Sequence, residues 1–462
     1  MFGIKPATKQ GLHILIVGCG KVGSTLVAQL SKEGHDITII DKSPQKVQDI
    51  TNLYDVMGIC GNGASFSVQQ EAGIEDTDLI IAVTESDELN LLCCTVAKKV
   101  TNCSAIARVR TPDYNKDINF IREQLGLALI INPELEAAKE IARILYLPAA
   151  LEVNSFAHAQ AEIVKFKLPE NNILDHMKLM DMSKKIKHNI LICAIEREGE
   201  VYIPSGNFEL QSGDIISCVG IKKACEEFLR AIGFDTHRVH DTMIIGGSKA
   251  AYYLADQLIR SGINVKIIEK DLSHCEILST LLPEAIIING DGTEEEVLRE
   301  EGIEDIESFV PLTGIDEENI MLTLYAKQVS NAKVITKINH ITFDSVINKL
   351  DLGSVVYPKF ITAEAIIAYV RAKQASKDSN VETLYHMFDS RVEAVEFLID
   401  QESAATGTTL LELSLKKNLL VCFIRRNGRT FIPSGQDILQ VGDRVMIVTT
   451  HTGFNELTDI LA

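Results

Sequence analysis

Six residues near the start of the chain, Gly18-Cys19-Gly20-Lys21-Val22-Gly23, have the spacing of a phosphate cradle. In such a cradle Gly18 permits the tight turn, Gly20 lets the backbone approach a pyrophosphate, and Gly23 lets a helix pack closely on a strand. The phosphates face the N–H groups at a helix N-terminus, where the dipole favours negative charge. The motif alone is a weak signal, but Asp41 ends the next strand-like run, 23 residues beyond Gly18. An acidic side chain there accepts hydrogen bonds from ribose hydroxyls and repels a 2′-phosphate. Together they point to a dinucleotide or an adenine nucleotide; the competing reading is glycines that only make a turn. Lys21 precedes the last glycine and no Gly-Lys-Ser/Thr follows, which excludes ATP hydrolysis of the P-loop kind.

Further candidates fall at the carboxyl ends of later strand-like runs, where open α/β sheets bind ligands. Gly61-Asn62-Gly63 follows the third and Thr84 the fourth, and for both the alternative is ordinary turn chemistry. Arg108 ends the fifth, from where a guanidinium reaches a phosphate or else simply meets solvent. Asp87, in the run Glu85 to Asn90, is read as a helix cap.

The elements that position these residues occur twice. Ile203-Pro204-Ser205-Gly206 returns as Ile432-Pro433-Ser434-Gly435, and Gly73-Ile74-Glu75-Asp76 as Gly302-Ile303-Glu304-Asp305, both displaced by 229 positions. Thr84, Asp87 and Asn90 meet Thr313, Asp316 and Asn319 at the same offset, and Gly61-Asn62-Gly63 meets Gly290-Asp291-Gly292. Ile39-Ile40-Asp41-Lys42 meets Ile267-Ile268-Glu269-Lys270 at 228. In the first copy short β-rich runs alternate with amphipathic stretches, predicting βαβ units around a parallel sheet that the second copy repeats. The first copy's strands are expected at His13–Val17, Asp36–Ile40, Val56–Ile59, Leu79–Val83, Ala105–Val109 and Ala128–Ile131, and Val22, Leu26, Val27 and Leu30 give the first helix an apolar face. From about Ala161 the pattern changes to short strands with turns at Glu198-Gly199 and Ser212-Gly213-Asp214 and a last helix near Lys222 to Ala231. A small α+β module is expected there, repeated from about Arg391. The fold class is α/β: two Rossmann-like doubly wound parallel-sheet domains, at 1–135 and 240–360, each followed by a small α+β domain, at 150–233 and 378–462.

In the second copy the glycine motif has become Gly246-Gly247-Ser248-Lys249-Ala250-Ala251. Ser248 puts a side chain where a backbone must meet the pyrophosphate, and Lys337 replaces the arginine, although Glu269 remains. A structural role is favoured over nucleotide binding there.

Composition narrows the function. With 45 Lys and Arg against 64 Asp and Glu, the net charge of −19 repels nucleic-acid phosphates and the anionic membrane surface, so membrane association is expected through a protein partner. No apolar run approaches the length of about 18 residues that spans a bilayer, and Met1 to Gly11 shows no secretory signal, so the expectation is a cytosolic protein. The ten cysteines form no CxxC pair and are read as buried thiols in a reducing compartment.

The order of GxGxVG, the acidic residue, Gly-Asn-Gly, Ala82-Val83-Thr84 with Asp87-Glu88 and Asn90, and Ala107-Arg108-Val109-Arg110 resembles the N-terminal domain of the RCK or KTN family, regulators of potassium conductance. The small module is similar to that family's C-terminal domain, through Gly407-Thr408-Thr409-Leu410-Leu411-Glu412-Leu413, Ile432 to Gly435 and Leu439-Gln440-Val441-Gly442-Asp443-Arg444. A tandem pair without membrane spans resembles the peripheral subunits of Trk potassium uptake systems. The resemblance implies a non-enzymatic regulator at the inner face of the membrane that binds NAD(H) or ATP/ADP. It also implies a homo-oligomer, typically a tetrameric ring, beneath an integral-membrane potassium transporter subunit of TrkH or TrkG type. The ligand positions nominated are Gly18, Cys19, Gly20, Lys21, Val22, Gly23, Asp41, Lys42, Gly61, Asn62, Thr84 and Arg108, with Glu269 in the second copy and no metal. The rival class, an NAD-dependent oxidoreductase, needs an acid–base group to serve the nicotinamide, and no His or Lys constellation qualifies; His188 is isolated. A redox-sensing transcriptional regulator lacks a basic DNA-binding element.

Overall fold

A computed structural model describes residues 11–156, 161–186, 189–339, 347, 349–374, 381–388 and 391–462. His188, most of the Met1 to Gly11 stretch and the expected start of the last module at 378 lie outside the described residues. The chain divides into two compact units: residues up to Glu136 with Pro358–Ile367, and Ala137–Tyr357 with Ala368–Ala462.

The first unit contains a parallel sheet of β1 (His13–Val17), β2 (Asp36–Asp41), β3 (Met57–Cys60), β4 (Leu79–Ala82), β5 (Ser104–Arg108) and β6 (Leu129–Ile131), in the order β3-β2-β1-β4-β5-β6. The strands are short apolar runs because helices cover both faces of such a sheet. Ile14 to Val17 and Leu79 to Ala82 are fully or almost fully buried, and Leu26, Val27 and Leu30 of the helix Lys21–Lys32 are inaccessible. The strand order reverses between β1 and β4, the place where an open parallel sheet leaves a crevice at its carboxyl ends. The six expected strands are all present.

The second unit holds three sheets. The first, antiparallel, is β7 (Glu152–Phe156), β8 (Ala161–Lys167), β9 (Ile190–Arg197), β10 (Glu200–Tyr202) and β11 (Ile215–Gly220), ordered β10-β9-β11-β8-β7. The second, parallel, is β12 (Asp241–Ile245), β13 (Asn264–Glu269), β14 (Ile286–Asn289), β15 (Ser308–Pro311), β16 (Lys333–Lys337) and β17 (Ser354–Val356), ordered β14-β13-β12-β15-β16-β17. The third, antiparallel, is β18 (Val381–Met387), β19 (Val392–Leu398), β20 (Leu419–Arg426), β21 (Arg429–Phe431) and β22 (Arg444–Thr449), ordered β18-β19-β22-β20-β21. The two antiparallel sheets share one apolar layer, in which Ile163, Cys193 and Val219 pack with Val392, Cys422 and Met446.

The strands β7 and β18 precede the change of pattern noted at Ala161 and Arg391 and fall inside the spans 150–233 and 378–462 expected for the small modules. Glu198-Gly199 does turn the chain between β9 and β10, both residues having positive φ (53° and 85°). In the first module Arg197 makes two 2.7 Å bonds to buried Asp214, and in the second Arg426 holds Asp443 the same way. The helix Lys222–Ala231 has only a short 3₁₀ turn, Leu457–Ile460, as its counterpart. There Gly453 takes φ 80°, and Thr452, Gly453 and Asn455 are weak helix formers where the first copy has Lys223, Ala224 and Glu226.

Candidate functional site

The register of β1 with β2 and β4 pairs Val17 with Ile40 and Ala82, bringing Gly18, Asp41 and Thr84 to one end of the sheet. Gly18 adopts φ 105°, and a Cβ on it would lie 2.9 Å from the Thr84 amide nitrogen, so the turn itself demands glycine. A Cβ on Gly23 would come 1.9 Å from the Gly18 carbonyl oxygen, which is the close helix–strand approach expected from the motif. Gly20 is different. It has ordinary extended angles (φ −75°, ψ −169°), a Cβ there would meet nothing within 4 Å, and no side chain caps the helix it starts. The fold does not require glycine at this position; it leaves open space in front of N–H groups that have no partner inside the helix.

Asp41 is aimed at the same loop. One carboxylate oxygen accepts the Cys19 N–H at 2.7 Å and the other the Ser43 N–H at 2.8 Å, which fixes the side chain and leaves acceptor capacity for further donors. Lys21 and Lys42 are exposed, while the Val22 side chain is buried. Cys19 is buried too; burial, and then the neighbouring Asp41 charge, pushes its thiol up to about 12, so it is no nucleophile at neutral pH. Nine of the ten cysteines are buried as expected, and Cys60, at the end of β3, is exposed.

The Gly61-Asn62-Gly63 loop hangs on Asp41 through the Gly61 N–H to Asp41 carbonyl bond of 2.9 Å. Its glycines have packing reasons: a Cβ on Gly61 would lie 2.9 Å from Val68 Cγ2, and one on Gly63 2.2 Å from Val17 Cγ1. Asn62 accepts the Ala64 N–H at 3.2 Å, an Asx turn. Thr84 donates N–H and hydroxyl to Asn90 Oδ1 (2.8 and 2.7 Å), and Asn90 Nδ2 donates to the carbonyls of Thr84 (3.2 Å) and Arg108 (2.9 Å), bracketing the ends of β4 and β5.

Arg108 is not the solvated arginine of the alternative reading. Its side chain is 15% exposed and donates to Glu134 at 3.3 Å and to the Thr84 carbonyl at 3.4 Å. Burial lowers its pKa from the ordinary range while the Glu134 charge opposes that fall. Glu134 had no local signal in the sequence; it lies 26 residues from its partner. Asp87 corrects an expectation: the cap of the helix Asp87–Val100 is Ser86, whose hydroxyl accepts the Leu89 N–H at 3.1 Å. Asp87 is buried and instead accepts the N–H groups of Arg110 (2.9 Å) and Thr111 (2.8 Å) and the Thr111 hydroxyl (2.7 Å).

The second copy keeps the scaffold and changes the contacts. Gly246 has φ 90°, and Glu269 accepts the Gly247 N–H (2.7 Å) and the Asp271 N–H (2.8 Å), as Asp41 does in its place. Thr313 and Asn319 repeat the bracket, with Asn319 reaching the Lys337 carbonyl at 3.1 Å. Ser248, however, caps its own helix by accepting the Ala251 N–H at 3.4 Å, and a Cβ on Gly247 would lie 2.5 Å from Leu278 Cδ1. Lys337 is buried against the Leu312 carbonyl at 3.3 Å.

Family models agree with this architecture. The TrkA-N domain model matches residues 14–133 and 242–358, and the TrkA-C domain model matches 163–233 and 394–462. The chain belongs to the TrkA family. Its TrkA relatives include the Trk system potassium uptake protein TrkA of Haemophilus influenzae, 31% identical over 94% of this chain and 95% of that protein. TrkA homolog 1 of Methanosarcina mazei is 29% identical over 96% and 99%. Among solved structures, the GsuK RCK domain superposes with a TM-score of 0.62 at 17% identity, covering 96% of this TrkA-family chain and 93% of that one. A GsuK channel bound to NAD gives the same TM-score and identity over 96% and 78%. At that identity the likeness is one of fold. Among the described residues no helix is long and apolar enough to cross a membrane.

Proposed function

We propose that this chain is a nucleotide-responsive regulatory subunit of a potassium uptake system, with one working nucleotide site in its first half. The relatives' names supply the potassium-transport role, and Gly20 carries the site: a glycine with empty space around it at an uncapped helix N-terminus, where the second copy has a self-capping serine. In this reading the N–H groups from Gly20 to Gly23 hold phosphates, and Asp41 accepts ribose hydroxyls. Lys21, Lys42 and Arg108 add positive charge, and the Gly61-Asn62 loop and Thr84, after the third and fourth strands, close the crevice. Asp41 favours NAD(H) or ATP/ADP over ligands with a 2′-phosphate. Neither Cys19, with its raised pKa, nor Asp41, engaged with backbone N–H groups, suits acid–base work, so the nucleotide acts as a signal rather than a substrate. The subunits assemble as a ring, typically a tetramer, on the cytoplasmic side of a TrkH or TrkG type membrane subunit, and nucleotide exchange shifts the ring between states that the pore reads. Only differential affinity for the two states produces such a shift.

Calorimetric titration of the full chain with NADH, NAD, ATP and ADP tests the site. One nucleotide per chain, lost in Gly20→Asp, is expected; two per chain refutes the single-site reading. Potassium flux in reconstituted membranes tests the coupling: Asp41→Ala removes the nucleotide response, and an unchanged response refutes it. A panel of carbonyl substrates with NADH tests the absence of catalysis.

A further inference from the structure

Gln69, in the helix Phe66–Glu71, is completely buried behind the Gly61–Ala64 loop. Its Nε2 donates to the Gly63 carbonyl at 2.7 Å and to the Cys93 carbonyl at 3.0 Å. Two facing acceptors fix the amide's orientation, and Oε1 is left buried without a hydrogen-bond partner among the described residues. A buried unpaired acceptor destabilises a fold. The duplication shows that the fold does not need it: at the offset of 229 the same position is Leu298, buried in an apolar cluster with Ile245, Val297 and Ile303. The surroundings are otherwise matched. Gly61 packs on Val68 as Gly290 packs on Val297, and Gly63 packs on Val17 as Gly292 packs on Ile245. The amide therefore accompanies the copy with the open glycine loop and is replaced by leucine in the copy whose helix caps itself.

We propose that Gln69 is a positioning residue for nucleotide binding in the first copy. By clasping the carbonyls of Gly63 and Cys93 it holds the Gly61–Ala64 loop at one height above the sheet. Because the Gly61 N–H is bonded to the Asp41 carbonyl, the loop's position and that of the ribose acceptor are linked. Gln69 is not placed to touch the nucleotide; it acts through the loop. The inference rests on the reading of this crevice as a nucleotide site.

The test uses the full chain with Gln69→Leu, the residue found at 298, and Gln69→Met, which keeps the length and removes the amide. Melting temperature, calorimetric affinity for NADH and ADP, and hydrogen exchange at the amides of 62–65 are measured for each. The expected result is a melting temperature changed little, since removing the unpaired Oε1 offsets the donor lost by the Gly63 and Cys93 carbonyls, together with faster exchange at 62–65 and nucleotide affinity weakened by up to about tenfold, the worth of one hydrogen bond. A merely structural glutamine would lower the melting temperature and leave the affinity of the folded protein unchanged, and that outcome overturns the proposal. If the wild-type chain binds and Gly20→Asp does not alter binding, the crevice reading itself has failed, which is a separate result from Gln69 variants that bind normally while Gly20→Asp does not.

Discussion

Gly20→Ser places in the first copy the residue that the second copy carries, and its consequences follow from geometry. The backbone at Gly20 (φ −75°, ψ −169°) is close to that of Ser248 (φ −57°, ψ 164°), and a Cβ meets nothing within 4 Å, so the substitution introduces no strain. The new hydroxyl is positioned to accept the Gly23 N–H as Ser248 accepts that of Ala251. Serine improves on glycine as an N-cap by only a few tenths of a kcal/mol, so the melting temperature moves by about 1 °C at most. Binding behaves differently. In the proposed site the hydroxyl would take up an N–H that otherwise faces a phosphate and would fill the open space beside the Gly20 backbone. Loss of one hydrogen bond to a charged group is worth about 1.5–3 kcal/mol, or roughly a ten- to hundred-fold weaker Kd. Thermal melts and calorimetry with NADH and ADP on one preparation read both quantities. A variant that melts normally and binds nucleotide with wild-type affinity would refute the argument that open space at Gly20 serves a ligand.

Other substitutions probe the scaffold. Gly23→Ala drives a methyl group into the Gly18 carbonyl, and urea denaturation should show a loss of about 2 kcal/mol, the usual size for overpacking. Asp87→Ala strips the acceptor from two N–H groups and a hydroxyl at Arg110 and Thr111, and a loss of about 3 kcal/mol is expected, against about 1 kcal/mol for a simple cap. Burial pushes the Lys333 ammonium down to about 8, where it donates to the Ala150 carbonyl. The unfolded chain then binds more protons than the folded one between about pH 8 and the ordinary 10.5, so wild-type stability relative to Lys333→Met rises with pH across that window and is lowest below it. Denaturant titrations of both proteins at pH 7, 9 and 10.5 check the sign.

The strand–glycine–helix order, the carboxyl-end placement of Asp41 and Thr84, and the duplication were legible because they rest on local periodicity and on residues whose roles are set by their own geometry. What escaped depends on partners distant in sequence. Ser86 and Asp87 are both capping types, and a helix start displaced by one residue decides between them; Asp87's real partners lie 23 and 24 positions away. Arg108 could be read as a phosphate ligand or as surface, and its pairing with Glu134, 26 positions away, had no sequence signal under either reading. Gln69 looks like any polar residue of a short helix until its burial is seen. The missing last helix of the second module was foreshadowed by Gly453, but a repeat inferred from matching motifs carries the first copy's ending along with it.

The Asn90 bracket grips main-chain oxygens, so it is blind to the side chain at position 108. Its counterpart Asn319 holds the same carbonyl of a lysine instead of an arginine. The identity of the side chain at this strand end is thus decoupled from the joint that keeps the strand ends together. One half of a duplicated chain is free to change its side-chain chemistry there without loosening its frame, so the two parallel sheets keep the same strand order while their contacts diverge.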